Sequence, residues 1–166
     1  MSVSRIVKFL GVLACALCAA PAAAQDVRPG YGPNINITAA KKIAAGVVAE
    51  CSKNNWNVAV AIVNTAGTLV YFERIEDTQT VSMDIAIMKA KAAATYRRPT
   101  RAFLDAINKG GPAIMTLPGV VASPGGVPIF VDGKVIGAVG VSGVTGDQDE
   151  QCAKAGIGRA SCRERV

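Results

Sequence analysis

Apolar side chains recur at helical spacing from Thr38 through Ala40, Ile43, Ala44, Val47, Val48 and Cys51, until Asn54-Asn55 stops them. This predicts a first amphipathic helix. The period then changes: Val58 to Asn64 and Thr68 to Arg74 are rich in β-branched and aromatic residues around Thr65-Ala66-Gly67, which predicts a hairpin. A second helix is expected from about Thr80 to Tyr96, ended by Arg97-Arg98-Pro99 because the residue before a proline is pushed out of helical geometry. A short third helix, Arg101 to Lys109, precedes Gly110-Gly111-Pro112. Val127 to Val131 and Val135 to Val141 flank Asp132-Gly133, a pair suited to the positive φ angles of a two-residue hairpin turn. The last helix begins near Asp147, read as its N-cap with Glu150 three residues later in a capping box. Two hairpins interleaved with helices predict an α+β fold, helices packed on a central antiparallel sheet.

The second helix is apolar around much of its circumference. Val81, Ile85, Met88 and Ala92 form one stripe; Met83, Ile87, Ala90 and Ala94 form another. Such a helix is buried on more than one side, so one stripe is expected against the sheet and the other against a ligand or a second subunit.

Both chain ends differ from this pattern. Arg5 and Lys8 precede an apolar run, Ile6 to Ala20, and Ala22-Ala23-Ala24 offers small residues for cleavage, so residues 1–24 read as a secretory signal peptide cut before Gln25. Residues 25–37, with Pro29, Gly30, Gly32 and Pro33, read as an exposed leader to a single domain over 38–156. The last ten residues, IGRASCRERV, have no apolar period, and back-translated they resemble a sequencing adapter. We expect 157–166 to be non-native and keep Arg159, Cys162, Arg163 and Arg165 out of functional argument.

Composition matters mainly through these ends. Between Gln25 and Gly156 stand 13 Lys plus Arg against 11 Asp plus Glu, a net of +2 rather than the formal +6, so no nucleic-acid or anionic-membrane reading follows. Of five cysteines, Cys51 and Cys152 remain in the domain, both on expected helices; a disulfide and two packed thiols are both compatible with that placement.

The chain has no histidine, which removes the commonest general base and metal ligand. Gly140-Val141-Ser142-Gly143 resembles a nucleophile elbow but lacks the closing glycine and any base for Ser142. Asp147, Asp149 and Glu150 are explained by capping more simply than by a cation. Arg97, Arg98 and Arg101, with Lys89 and Lys91 upstream, place cations at the end of an apolar helix. They suit the helix dipole, and equally the carboxylates of a flat apolar ligand.

Taken in order, NNWNVAVAIVNTAGTLVYFER, SMDIAIMKAKAAATYRRPT, GGVPIFVDGKVIGAVGVSG and DQDEQCAKAG resemble the GlcG/HbpS family of haem-binding proteins, over about Thr38 to Gly156. The resemblance implies a profilin-like sandwich, symmetric homo-oligomers, and haem or a related tetrapyrrole as ligand. Together with the signal-like segment it leads to the expectation of a periplasmic or secreted protein that sequesters, carries or senses haem, with a haem-degrading or redox role and a cofactor-free accessory role as alternatives. Asn64 stands where an aspartate is expected, and Arg74 to Thr78 replace a glycine-bearing turn. Without histidine the iron needs another ligand. Tyr96 is the first candidate, with Thr95, Met88 and Met83 behind it, while Met88, Lys89, Arg97 and Arg98 complete the expected cofactor-binding set.

Overall fold

A computed structural model describes residues 28–163, with side chains to Ala160; the signal segment with Cys15 and Cys18, and residues 164–166, lie outside. The chain runs α1 (Ile37–Lys53), β1 (Ala59–Asn64), β2 (Leu69–Arg74), α2 (Ser82–Tyr96), α3 (Arg101–Asn108), a 3-10 turn (Pro112–Thr116), β3 (Gly126–Val131), β4 (Lys134–Ser142) and α4 (Gly146–Arg163). The strands form one antiparallel sheet in the order β2-β1-β4-β3, so the fold is α+β as the pattern predicts.

The β3–β4 turn forms where expected: Asp132 and Gly133 take φ of 49° and 72° between the paired Val131 and Lys134. In the first hairpin Asn64 does what an aspartate would, its Oδ1 accepting the N–H groups of Ala66 and Thr68, each at 3.0 Å. In the Arg74–Thr78 turn Asp77 takes the positive φ, 59°, that a glycine would supply.

The two faces of the sheet differ. Val58, Val60, Ile62, Val127, Ile129, Val139 and Val141 point to α1 and α4, whose crossing carries the Cys51–Cys152 disulfide with Cα atoms 5.8 Å apart. Ala59, Ala61, Val63 and Ala138 point to α2. On this face Gly126 and Gly140 are paired, and a Cβ at Gly140 would overlap the Ala86 carbonyl oxygen, so α2 lies directly on the backbone of the sheet.

That contact decides which side of α2 is buried: the second expected stripe faces the sheet, Ala90 and Ala94 buried and Met83 and Ile87 packed half-buried against the same cluster, while Val81 and Met88 of the first stay open. Ser82, Ala86, Lys89, Ala90, Ala92, Ala93 and Ala94 are buried, whereas Val81 and Met88 are more than half exposed and Met83, Ile85 and Ile87 half-buried. Apart from Lys89, the side chains seated directly on this glycine and alanine surface are small. Met83 and Ile87 pack at its edge, and Val81 and Met88 face outward.

The α4 cap is also displaced. Thr145 and Gln148 form the capping box, Thr145 N–H donating to Gln148 Oε1 at 3.1 Å and Gln148 N–H to Thr145 Oγ1 at 3.4 Å. Asp147 and Glu150 instead accept from the Arg101 guanidinium, and Lys154 pairs with Glu150 at 2.9 Å. The helix continues into the final stretch as far as Arg163, with Ile157 and Ala160 against the core and Arg159 paired with Glu50 at 2.6 Å.

The leader is mostly exposed but bonded. Tyr31 bridges Val135 of β4, Asn34 Oδ1 accepts from the N–H and hydroxyl of Thr65, Ile35 is buried, and Asn36 caps α1 through the Ala39 N–H.

Candidate functional site

The carboxyl end of α2 gathers groups from three separate stretches of chain. Pro99 prevents the helix from continuing, and Arg97 closes it in the left-handed region, φ 54° and ψ 39°, a position more often held by glycine. The last carbonyls are capped from the leader. Tyr31 Oη donates to Ala94 and Thr95 O at 3.2 and 2.9 Å, and Arg28 Nη1 to Tyr96 O at 3.2 Å. Arg97 returns a bond, Nη1 to Pro29 O at 3.0 Å, with its guanidinium 5.1 Å from the centre of the Tyr31 ring.

On the other side, the Phe103 ring meets Tyr96 edge-on at 5.3 Å, and the Arg98 guanidinium stands 5.7 Å from its centre. Tyr96 Oη donates to Pro118 O at 2.7 Å. Among the described residues the Arg98 side chain has no hydrogen-bond acceptor, which leaves its planar fork of donors open to a carboxylate.

Tyr96, Arg97 and Arg98 are therefore brought together; the rest of the expected set is not. Met88 lies on the outer face, about 12 Å up the helix from Tyr96 at 1.5 Å per residue, and half of its surface is open. Thr95 is exposed with its hydroxyl bonded to Lys91 O, and Met83 packs half-buried against the alanine cluster between α2 and the sheet. Lys89 points the other way: it is buried beneath α2, its Nζ 2.8 Å from Asp149 Oδ2 and 3.1 Å from Val141 O. Burial pushes the Asp149 carboxyl above its ordinary pKa, opposed by the bonds from Lys89 and from the Val144 N–H. This pair ties α2 to the first turn of α4, which removes Lys89 from the ligand site. Arg101, also read as part of the cation cluster, is occupied by Asp147 and Glu150, which raise its pKa further.

Tyr31, Arg28, Phe103 and Pro118 are absent from the expected site, because they reach α2 from distant parts of the chain. The one available signal was a tyrosine and an arginine in an otherwise small and polar leader.

Two cavities, of about 280 and 60 Å³, lie away from this end, the first between α1 and α4 and the second where α1 and α4 meet β3 and β4. Arg159, Ile157 and Ala160 wall them, so they are built partly from the stretch read as foreign.

The family model described as haem degrading protein HbpS-like matches residues 35–158. Protein GlcG of Escherichia coli K12 is 42% identical over 100 residues, covering 60% of this chain and 74% of GlcG. A crystal structure of a Streptomyces reticuli HbpS double mutant superposes with a TM-score of 0.71 at 30% identity, covering 84% of this chain and 96% of that one. That of the PduOC:heme complex gives 0.69 at 26% identity, with coverage of 76% and 94%. The family match spans the whole sheet, α2 and its carboxyl end, and the chain belongs to the GlcG/HbpS family.

Proposed function

We propose that this chain is an exported haem-binding protein that sequesters, carries or senses haem at the carboxyl end of α2. The observation that carries the reading is the convergence of a phenol, Tyr96, and an unengaged guanidinium, Arg98, beside exposed apolar surface. The donor set fits the group: phenolate is a haem-ligand type, present here as Tyr96, and arginines suit the propionates. The family model's description and the heme complex of a relative with this fold support the same ligand. Bound haem supplies the iron and its ligand chemistry; Tyr96 would hold the metal, and Arg97 and Arg98 the carboxylates.

Export is supported by the signal-like segment and by the buried Cys51–Cys152 disulfide, which suits an oxidising compartment. Assembly into homo-oligomers is supported by the apolar side chains left open on α2, Val81 and Met88. Light scattering at micromolar concentration tests it, and a strict monomer would refute it.

Absorbance titration with haemin tests the central reading. Tyr96→Phe is expected to change the spectrum, and Arg98→Ala to weaken binding by about 1–3 kcal/mol, the worth of a charge-assisted contact. Absence of haemin binding by the wild-type chain would make the cofactor-free accessory role the better account. The family model's description also favours a second reading, haem breakdown, which loss of the bound-haem absorbance under added peroxide or reductant would reveal.

A further inference from the structure

Between α3 and β3 the chain leaves the body and returns to nearly the same place. Thr100 closes the base: its N–H donates to Gly126 O at 3.0 Å, its Oγ1 accepts from the Gly126 N–H at 3.0 Å and donates to Ser123 O at 2.7 Å. The outermost part, residues 111–119, carries apolar side chains that nothing covers among the described residues. Met115 is 50% exposed, Leu117 45%, and Ile114 is half-buried. Glycines bound it. Gly110 and Gly119 adopt φ of 86° and 72°, and neither has an atom within 4 Å of an added Cβ, so left-handed backbone rather than crowding calls for glycine there.

Among the described residues the segment's hydrogen bonds stay within itself, reach the adjoining Val120 N–H through Leu117 O, or reach α3 through the Gly111 N–H to Ala106 O, apart from one tether to α2, Tyr96 Oη to Pro118 O. The residue best placed to ligate iron thus also holds the segment. A phenolate has no proton to donate, so a Tyr96 that ligates iron must release Pro118.

We propose that residues 111–119 are a hinged lid that closes over haem seated at the end of α2, with Ile114, Met115 and Leu117 as its apolar cover. The occupant follows from what surrounds the lid: exposed apolar side chains on one side and the open guanidinium of Arg98 on the other fit a flat apolar ligand bearing carboxylates. The proposal rests on the haem reading above.

Hydrogen–deuterium exchange tests the tether without ligand. In the haem-free chain Tyr96→Phe is expected to speed amide exchange across 111–119, and unchanged exchange would overturn the tether. Haemin added to the wild type is expected to slow exchange in the same segment. Stopped-flow transfer of haemin to a scavenger tests the cover: a Met115→Ser/Leu117→Ser variant, with unchanged melting temperature, should release haemin about tenfold faster or more. Val131→Ser, equally exposed on the β3–β4 hairpin, should not. Unchanged release from the double variant, with haemin bound normally by the wild type, overturns the lid alone. A wild type that binds no haemin overturns the haem reading and the lid with it.

Discussion

Replacing Lys89 by methionine separates two roles that the sequence assigns to one position. Lys89 and Asp149 have only 2% of each side chain exposed, with Nζ and Oδ2 2.8 Å apart. Lys89→Met keeps the length of the side chain but leaves the Asp149 carboxylate buried beside α2 with no cation. Removing one partner of a buried pair costs about 3–5 kcal/mol, because the remaining charge keeps its desolvation penalty and loses its counter-charge. For a domain of this size that is a fall of roughly 10–20 °C in melting temperature. Replacing both, Lys89→Met with Asp149→Leu, removes both desolvation penalties and should recover at least half of the loss. Thermal and urea unfolding of the two single variants and the double variant measure the coupling directly. The folded Lys89→Met variant should titrate with haemin as the wild type does. A loss below about 1 kcal/mol would refute the structural assignment of Lys89, as would a haemin affinity that falls while stability holds.

Gly140→Ala should destabilise by about 3 kcal/mol or leave the chain insoluble, since the new methyl meets the Ala86 carbonyl and α2 must lift from the sheet; soluble yield and circular dichroism check it. Replacing Cys51 and Cys152 by alanine opens a link across 101 residues and should cost about 4–5 kcal/mol in the chain-entropy account, read from unfolding of both forms. Burial raises the Asp149 pKa, so between its ordinary value of 3.8 and the raised one the folded chain holds a proton that the unfolded chain has released. Its contribution to stability therefore falls as pH rises through that window, and Asp149→Asn should make the slope of unfolding free energy against pH more positive there, as urea titrations at stepped pH would show.

The elements themselves were legible in the chain because their signals are local. Asp132-Gly133 sets the β3–β4 turn by its own φ angles, Arg97-Arg98-Pro99 ends α2 by steric exclusion, and alternating valines mark strands wherever they lie. The Arg98 and Tyr96 positions were legible for the same reason, as residues next to a helix stop. What the pattern of apolar positions left open was which stripe of α2 faces the sheet, since periodicity ranks side chains by hydrophobicity and not by size. Against Gly126, Ala138 and Gly140 the approach is closest, and alanines win over Val81, Ile85 and Met88.

The remaining decisions needed contacts far apart in sequence. Lys89 reads as one more cation of the α2 cluster until Asp149, sixty positions later, is seen to face it. Asp147 reads as a cap until Arg101 is placed beside it and Thr145 takes the capping role. Tyr31 and Arg28 read as leader until β4 pairs with Tyr31 and turns both onto the open carbonyls of α2. In each case the local signal gives a polar group's chemistry but not its partner. Only the folded sheet decides which of the compatible partners comes within hydrogen-bonding reach.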